Sequence, residues 1–278
     1  MAENMNNDSN NSDDNKKVYN EFRKMIAEAK FSPNMDKILL ERYLKVSDNN
    51  LVNAFALLKH GLELRQKASY LFFNRDLSVK EIQTAFTTFQ FCPLRKLTKE
   101  KYKITIIRFP KCDANLYDSV DVIKTALMMF DACYTMYDNG DDLIEGEIFI
   151  LDVVGFSFKQ FLNLSKNVNT FLHYTKFLQE AAPVRLISNH ITNTSSIMDG
   201  VLGLVKPILR KELQDLVHFH KVGSDTMLKF FEKDVLPIDY GGTNGTIDEH
   251  YKEWLKVFET KRDYLLNDDY WKISTDET

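Results

Sequence analysis

A chain of 278 residues and 32.4 kDa has the length of one large domain or two modest ones. With 44% hydrophobic residues, 20 Phe and 12 Tyr among them, it holds ample material for a core, which excludes disorder of the whole chain. Its 36 Lys and Arg against 40 Asp and Glu leave a net charge of −4, which argues against a general nucleic-acid binder, because phosphate neutralisation needs a basic surplus.

Residues 1–17 hold six Asn, three Asp and two Ser, and no Val, Leu, Ile or aromatic residue. Such a stretch cannot bury enough area to offset its ordering entropy and reads as a disordered tail. Residues 18–93 read as a small N-terminal helical domain. Ser32-Pro33 looks like an N-cap followed by proline at the first helical position, with Leu40, Tyr43 and Leu44 at helical spacing behind it. Leu51, Phe55, Leu58 and Leu62 fall on one face of an amphipathic helix. Ser78-x-x-Glu81 has the form of a capping box ahead of Ile82, Phe86 and Phe89, and Cys92-Pro93 starts the break that ends the unit.

Strand and helix then alternate over residues 94–245. Tyr102 to Phe109 is a β-branched and aromatic run, and Leu116, Val120, Ile123, Leu127, Phe130 and Tyr134 mark a long helix. Asn139-Gly140 is a loop. Glu147 to Val154 is nearly all apolar, as expected of a strand covered on both faces. Ser157-x-x-Gln160 caps a short helix, Val168 to Gln179 form another, and Pro183 ends it. Val184 to Thr192 is the next strand, followed by a helix from about Ser195 to Leu204 and a further helix from Arg210 to Phe219. Pro237 begins a loop. Residues 246–278 hold a C-terminal helix and tail, with Thr246-x-x-Glu249 as the cap and Tyr251, Trp254, Leu255 and Phe258 facing inward. Strands separated by helices predict an α/β domain with a largely parallel sheet.

The longest apolar runs, such as Ile148 to Leu151, fall far short of the roughly 20 residues of a bilayer span, and the N-terminus lacks an apolar signal-peptide core. Cys92, Cys112 and Cys133 are unclustered, so neither a disulfide framework nor a zinc site is indicated. Five Asn-x-Ser/Thr triplets, at Asn7, Asn10, Asn163, Asn193 and Asn244, carry no meaning without a secretory route. The chain is expected to be soluble and intracellular.

The usual signatures of catalysis are missing. The ten glycines form no G-x-G-x-x-G, G-x-x-x-x-G-K or G-x-S-x-G. His218-x-His220 on a helix would point to two different faces, so no shared metal is expected; His173 and His190 are isolated. Asp141, Asp142 and Glu145 read as a solvated turn. Asp152 is the one carboxylate in the apolar strand run, read as a strand-end acceptor of hydrogen bonds, with an activated base as the other possibility. What stands out is apolar excess over residues 195–209: Ile197, Met198, Val201, Leu202, Leu204, Val205 and Leu209, interrupted by Gly200 and Gly203. Each glycine costs a helix about 1 kcal/mol relative to alanine. The pattern fits both an ordinary buried helix and a lid over an apolar cavity, and periodicity does not separate them.

The order of elements and four motifs resemble the CRAL-TRIO lipid-binding family, especially its α-tocopherol-transfer and retinaldehyde-binding branch, over about residues 34–245. Leu40 to Phe72 looks like the N-terminal helical domain, with Tyr43-Leu44-Lys45, Ala54 and Arg65 at its marker positions. Ile148 to Phe156 looks like the family strand with its Asp and Gly, here Asp152 and Gly155. Ala182 to Asn193 matches through Pro183, Arg185, His190 and Asn193. Leu204 to His220 and Leu236 to Gly242 resemble the family's "KPFL…H" and "LPxEYGG" signatures.

The resemblance implies a small all-α N-terminal domain, then an α/β domain with an apolar cavity between the sheet and a gate helix at about Asn193 to Leu209. It implies a non-enzymatic, cytoplasmic and peripherally membrane-associated carrier, with a small hydrophobic lipid as partner and no cofactor, metal or nucleic acid. Candidate pocket residues by position are Ile123, Ala126 and Phe130; Phe149 and Leu151; Phe177 and Leu178; Val184, Leu186 and Asn189; and Met198, Val201, Val205 and Leu209 on the gate. In tocopherol-type members a basic cluster binds phosphoinositides. Arg65 and Arg185 match two of its positions, Ile187, Glu212 and Leu216 stand at three others, and Lys206, Arg210 and Lys211 lie nearby. Asn189 and Glu147 fall where the tocopherol-type pocket is apolar, so either the ligand carries a polar head or both residues serve the sheet. The expected ligand is tocopherol-, retinoid-, carotenoid- or sterol-like. Phospholipid transfer and a lipid-sensing interaction module are the alternatives.

Overall fold

The structure, a computed structural model, describes residues 2–194, 197–207 and 209–273. Its N-terminal part is helical: α1 Ala2–Glu28, α2 Lys37–Val46, α3 Leu51–Lys67, α4 Ser69–Phe72 and α5 Lys80–Thr88. α1 takes in residues 2–17, predicted as a disordered tail. Asp14 to Lys17 are exposed, and apolar packing begins at Val18 and Tyr19, ahead of the buried Phe22 and Ile26. Extending a helix that is already packed needs no new nucleus, which accounts for helix without an apolar face.

Two predicted caps move. α2 is capped by Asp36, whose carboxylate accepts from the N–H groups of Ile38 and Leu39, and not by Ser32. Ser78 and Glu81 make no capping box, because the Ser78 hydroxyl and N–H both donate to Asp76. The α2–α3 turn holds Asp48 and Asn49 at φ 50° and 58°, left-handed positions that Asp and Asn tolerate better than most residues.

Among the described residues the strands form one five-stranded sheet in the order β1 Gln90–Pro93, β2 Tyr102–Arg108, β3 Gly146–Asp152, β4 Leu186–Thr194, β5 Val217–Lys221. β1 runs antiparallel to β2 and the other pairs are parallel. The sheet thus starts at Gln90, inside the stretch predicted as helical. The helices of this half are α6 Ser119–Tyr134, α7 Phe158–Lys166, α8 Val168–Glu180, α9 Ile197–Val205, α10 Lys211–Gln214, α11 Ile247–Glu259 and α12 Arg262–Leu266. The predicted capping boxes of Ser157 with Gln160 and of Thr246 with Glu249 are both formed.

The predicted helix from Arg210 to Phe219 is corrected to the single turn α10 followed by strand β5. β4 offers an unpaired edge there, and pairing Asn189, His190 and Ile191 with Val217, His218 and Phe219 satisfies backbone groups that a surface helix would leave to water.

Register divides the sheet into two faces. Thr105, Phe149, Asn189 and Val217 form one row, and Ile106, Ile150, His190 and His218 form the next, on the opposite side. The first face meets α6, where the rings of Phe149 and Phe130 lie 5.6 Å apart. The second is covered by the chain around Phe230 and Phe231, both 4.8 Å from the His190 ring. Gly155 lies where a Cβ would run into the backbone of Phe109 and Pro110, and its N–H donates to Phe109 O at 2.9 Å. This fixes the crossing of the two connections that leave β2 and β3.

A buried charge cluster joins the two halves. Arg65 on α3 makes a two-pronged contact with Asp131 on α6 at 2.6 and 2.7 Å, and Arg75 binds the same carboxylate. The Arg65 guanidinium also lies 3.7 Å from the Trp271 ring centroid and over Phe72 and Phe177. Two cations against one anion leave excess positive charge, and three aromatic faces partly offset it.

Candidate ligand hollow and gate helix

The apolar segment after β4 forms α9, and its described contacts are with α7 and the sheet. Gly200 faces the Phe161 ring of α7, where an added Cβ would come within 3.0 Å, whereas a Cβ at Gly203 would meet nothing within 4 Å. Val201 packs with Leu151, Val153, Phe156, Ile191 and Val217 in a small cluster separate from the main core. Beyond α9 the chain is tied to α8: the Arg210 N–H donates to Gln179 Oε1 at 2.9 Å, and its guanidinium lies 3.7 Å from Glu180. Glu180 in turn meets His60 on α3 at 2.8 Å.

The candidate pocket residues fall into three groups. Ile123, Ala126 and Phe130 on α6 and Phe177 on α8 are fully within the main core. The Phe177 ring packs against Phe72, 4.8 Å away, and against the Arg65 guanidinium of the buried charge cluster. Phe149, Leu178 and Val184 are half-buried at the edge of that core, Leu151 and Val201 share the smaller cluster, and Leu186, Asn189 and Leu209 are half-buried as well. The side chains of Met198 and Val205 lie outside the described residues. Phe149, Leu151, Asn189 and Ile191 share one face of the sheet, between the two apolar clusters.

Two clefts are described among these residues: a charged groove of about 1070 Å³ among α1, α2 and residues 137–146, and a smaller one of about 410 Å³ on the sheet face of His190. Between sheet and gate, Val201 is seated on the floor against Ile191 and Val153.

The basic candidates separate in the same way. Arg65 cannot meet a membrane headgroup: it is 1% exposed and both prongs of its guanidinium are engaged by Asp131. Arg185 is exposed and paired with Asp48 at 2.7 Å. Lys206, Arg210 and Lys211 are exposed beyond the end of α9.

Asp152 is a structural acceptor. It receives the Val154 N–H at 3.0 Å, the Asn193 amide at 2.8 Å and the Tyr240 hydroxyl at 2.9 Å. That one carboxylate ties together β3, β4 and the Leu236 to Gly242 segment. At Gly242 a side chain would collide with the carbonyl of Leu236.

Two features escaped prediction. On a strand, residues two apart share a face, so His218 and His220 come together with His190; ring centroids lie 4.9 and 5.3 Å from His190. A hydrogen-bond chain runs from Ser188 through His190 and His220 to Thr226 with steps of 3.0, 3.0 and 2.8 Å. The His190 and His220 rings stack, and among the described residues no group of His, Cys, Asp or Glu is placed to hold a metal. Burial, with the neighbouring imidazoles, pushes the His190 pKa down to about 3, so it is too weak a base to activate Ser188 at neutral pH. The second feature is the exposed apolar edge of α7. Phe158 is 59% and Leu162 44% exposed, one helical turn apart. Their i, i+4 spacing was the available signal. Glu147, for which the sequence left a ligand-facing or a sheet role, is buried on the Phe149 face, where it accepts the Thr105 hydroxyl at 2.6 Å. Burial raises its carboxyl pKa.

The fold is thus a three-part arrangement: helical N-terminal unit, mostly parallel sheet, and an apolar helix over one sheet face. Comparison with known proteins identifies its class. The family model for the CRAL/TRIO domain matches residues 88–242, more than half of the chain, and the chain belongs to that family. It is 22% identical over 207 residues to clavesin-2 of Mus musculus, covering 74% of this chain and 62% of that protein. It is 30% identical over 71 residues to the alpha-tocopherol transfer protein-like protein of Mus musculus, covering 26% of this chain and 21% of that one. The match thus spans about three fifths of the length of the clavesins. The crystal structure of Sfh5 shares the fold, with a TM-score of 0.57 at 13% identity over 90% of this chain and 97% of that one.

Proposed function

We propose that this chain is a non-enzymatic carrier of one small hydrophobic molecule (tocopherol-, retinoid-, carotenoid- or sterol-like) and that α9 is the gate through which it exchanges that molecule with membranes. The observation that carries the reading is the attachment of α9. Among the described residues, Val201 meets the sheet floor in a small cluster with Ile191 and Val153, while the chain beyond α9 is tied to α8 through Arg210. A glycine-interrupted helix opens at low cost, and lifting Val201 off Ile191 uncovers a floor of Leu151, Ile191 and Val217, next to Phe149 and Asn189 on the same sheet face. Burying the ligand's apolar body there would contribute about 0.8 kcal/mol per methylene.

Release needs a membrane-facing surface. Phe158 and Leu162 on α7 stand exposed beside α9 and supply it, with Lys206, Arg210 and Lys211 as partners for anionic headgroups. Among the described residues no helix is long and apolar enough to cross a membrane, so contact would be at the surface. No cofactor is required by this scheme.

Transfer of fluorescent retinoid or tocopherol between donor and acceptor vesicles tests the reading. A carrier speeds the transfer in proportion to protein concentration. Vesicle binding without any transfer would make the chain a lipid sensor instead, and transfer restricted to phospholipid would favour phospholipid exchange.

A further inference from the structure

We infer that the ligand presents a hydroxyl group and that Asn189 is the residue that reads it. The inference rests on the carrier reading and narrows its ligand class to an apolar body with a hydrogen-bond donor at one end.

Asn189 sits in the row Thr105, Phe149, Asn189, Val217, on the sheet face that α6 and Val201 cover. Its backbone N–H is already used, donating to Leu216 O at 2.8 Å. Its side chain is half-buried, yet Oδ1 is shut off from water and receives no hydrogen bond. The neighbours in register, Phe149 and Val217, have no donor to give. Thr105, in the same row, has committed its hydroxyl to Glu147. An unpaired amide oxygen in such a place weakens the fold relative to valine or leucine, which also suit a parallel strand better.

A donor that arrives with the ligand would complete this oxygen. A hydroxyl supplies one. A hydrocarbon supplies none, and an ether, ester or aldehyde brings acceptors only. A site with a committed polar group rejects analogues that leave it unpaired more sharply than an apolar wall rejects an extra methylene. Val217, the neighbour of Asn189 in register, belongs to the same cluster as Val201. Lifting α9 therefore frees the Asn189 side of the floor as the ligand enters.

The test uses matched alcohol and methyl ether pairs, which keep the skeleton and remove the donor: retinol and retinyl methyl ether, α-tocopherol and its methyl ether, cholesterol and its methyl ether. Binding to the full chain is measured by equilibrium dialysis with labelled ligand. For any skeleton that binds, the alcohol should bind about tenfold more tightly than its ether. In Asn189→Leu that ratio should fall to about twofold or less, with ether binding retained. Equal binding of alcohol and ether by the wild type overturns the assignment and leaves the carrier reading intact, and so does a preserved preference in a folded Asn189→Leu protein. If the variant does not fold, the wild-type ratio alone decides. Failure of every skeleton to bind overturns both the assignment and the carrier reading.

Discussion

Asp131 holds two buried guanidiniums, and the aromatic faces around Arg65 do not replace a counter-charge. The Asp131 carboxyl is fully desolvated, which works against its charge, but Arg65 and Arg75 outweigh this and hold its pKa below the ordinary carboxylate value. Asp131→Asn leaves both cations uncompensated. We expect a loss of about 3–5 kcal/mol in urea unfolding, because stranding buried charge costs far more than the intact cluster contributes. His190 makes a second residue-level prediction. The unfolded imidazole takes a proton near pH 6.5, whereas the folded one resists until about pH 3. The stability this lends is complete above pH 6.5 and declines as pH falls below it, by up to about 1.4 kcal/mol per unit for one proton. The urea midpoint should therefore drop between pH 6.5 and 5, and His190→Gln should shallow that slope. An unchanged slope would mean that another group governs this window.

At the level of elements, α9 concentrates the consequences. Gly203→Ala meets no neighbour, so its only effect is a helix that is harder to open. Ligand release should slow by about fivefold, equivalent to about 1 kcal/mol of helix propensity, with the fold unchanged. Val201→Asp places a charge against Ile191 and Val153 and should speed ligand loss by at least about tenfold in a protein that keeps its circular dichroism. Equal retention in both variants would detach α9 from the pocket. Elements were legible in the sequence where local signals decide them. The Ser157 and Thr246 capping boxes and the apolar runs of β2 and β3 needed no tertiary information. β5 was illegible because Val217 to Lys221 is a strand only by virtue of the β4 edge beside it, and the histidine cluster was lost with it. Ser78 failed for the opposite reason: Asp76, two residues earlier, competes for it locally. The candidate site was legible in part. Position gave the sheet floor and α9, but the burial of Arg65 depends on Asp131, which is 66 residues away in the chain.

Across the whole molecule, one sheet separates two environments. The face carrying Phe149, Leu151 and Asn189 is shared between two apolar clusters and α9, while the other carries the histidine chain beneath Phe230 and Phe231. Exchange is expected on the first side only, with α7 as the membrane-facing edge. Phe158→Glu combined with Leu162→Glu should cut partitioning to vesicles by about tenfold, since two large apolar side chains would no longer enter the lipid boundary. Binding of that double variant at wild-type strength would move the membrane surface elsewhere. The most direct measurement is to extract the natively purified chain with organic solvent and identify what is released by mass spectrometry. The carrier reading predicts one hydrophobic molecule in stoichiometric amount, bearing a hydroxyl group. A protein that releases nothing and takes up no retinoid, tocopherol or sterol from loaded vesicles would contradict it.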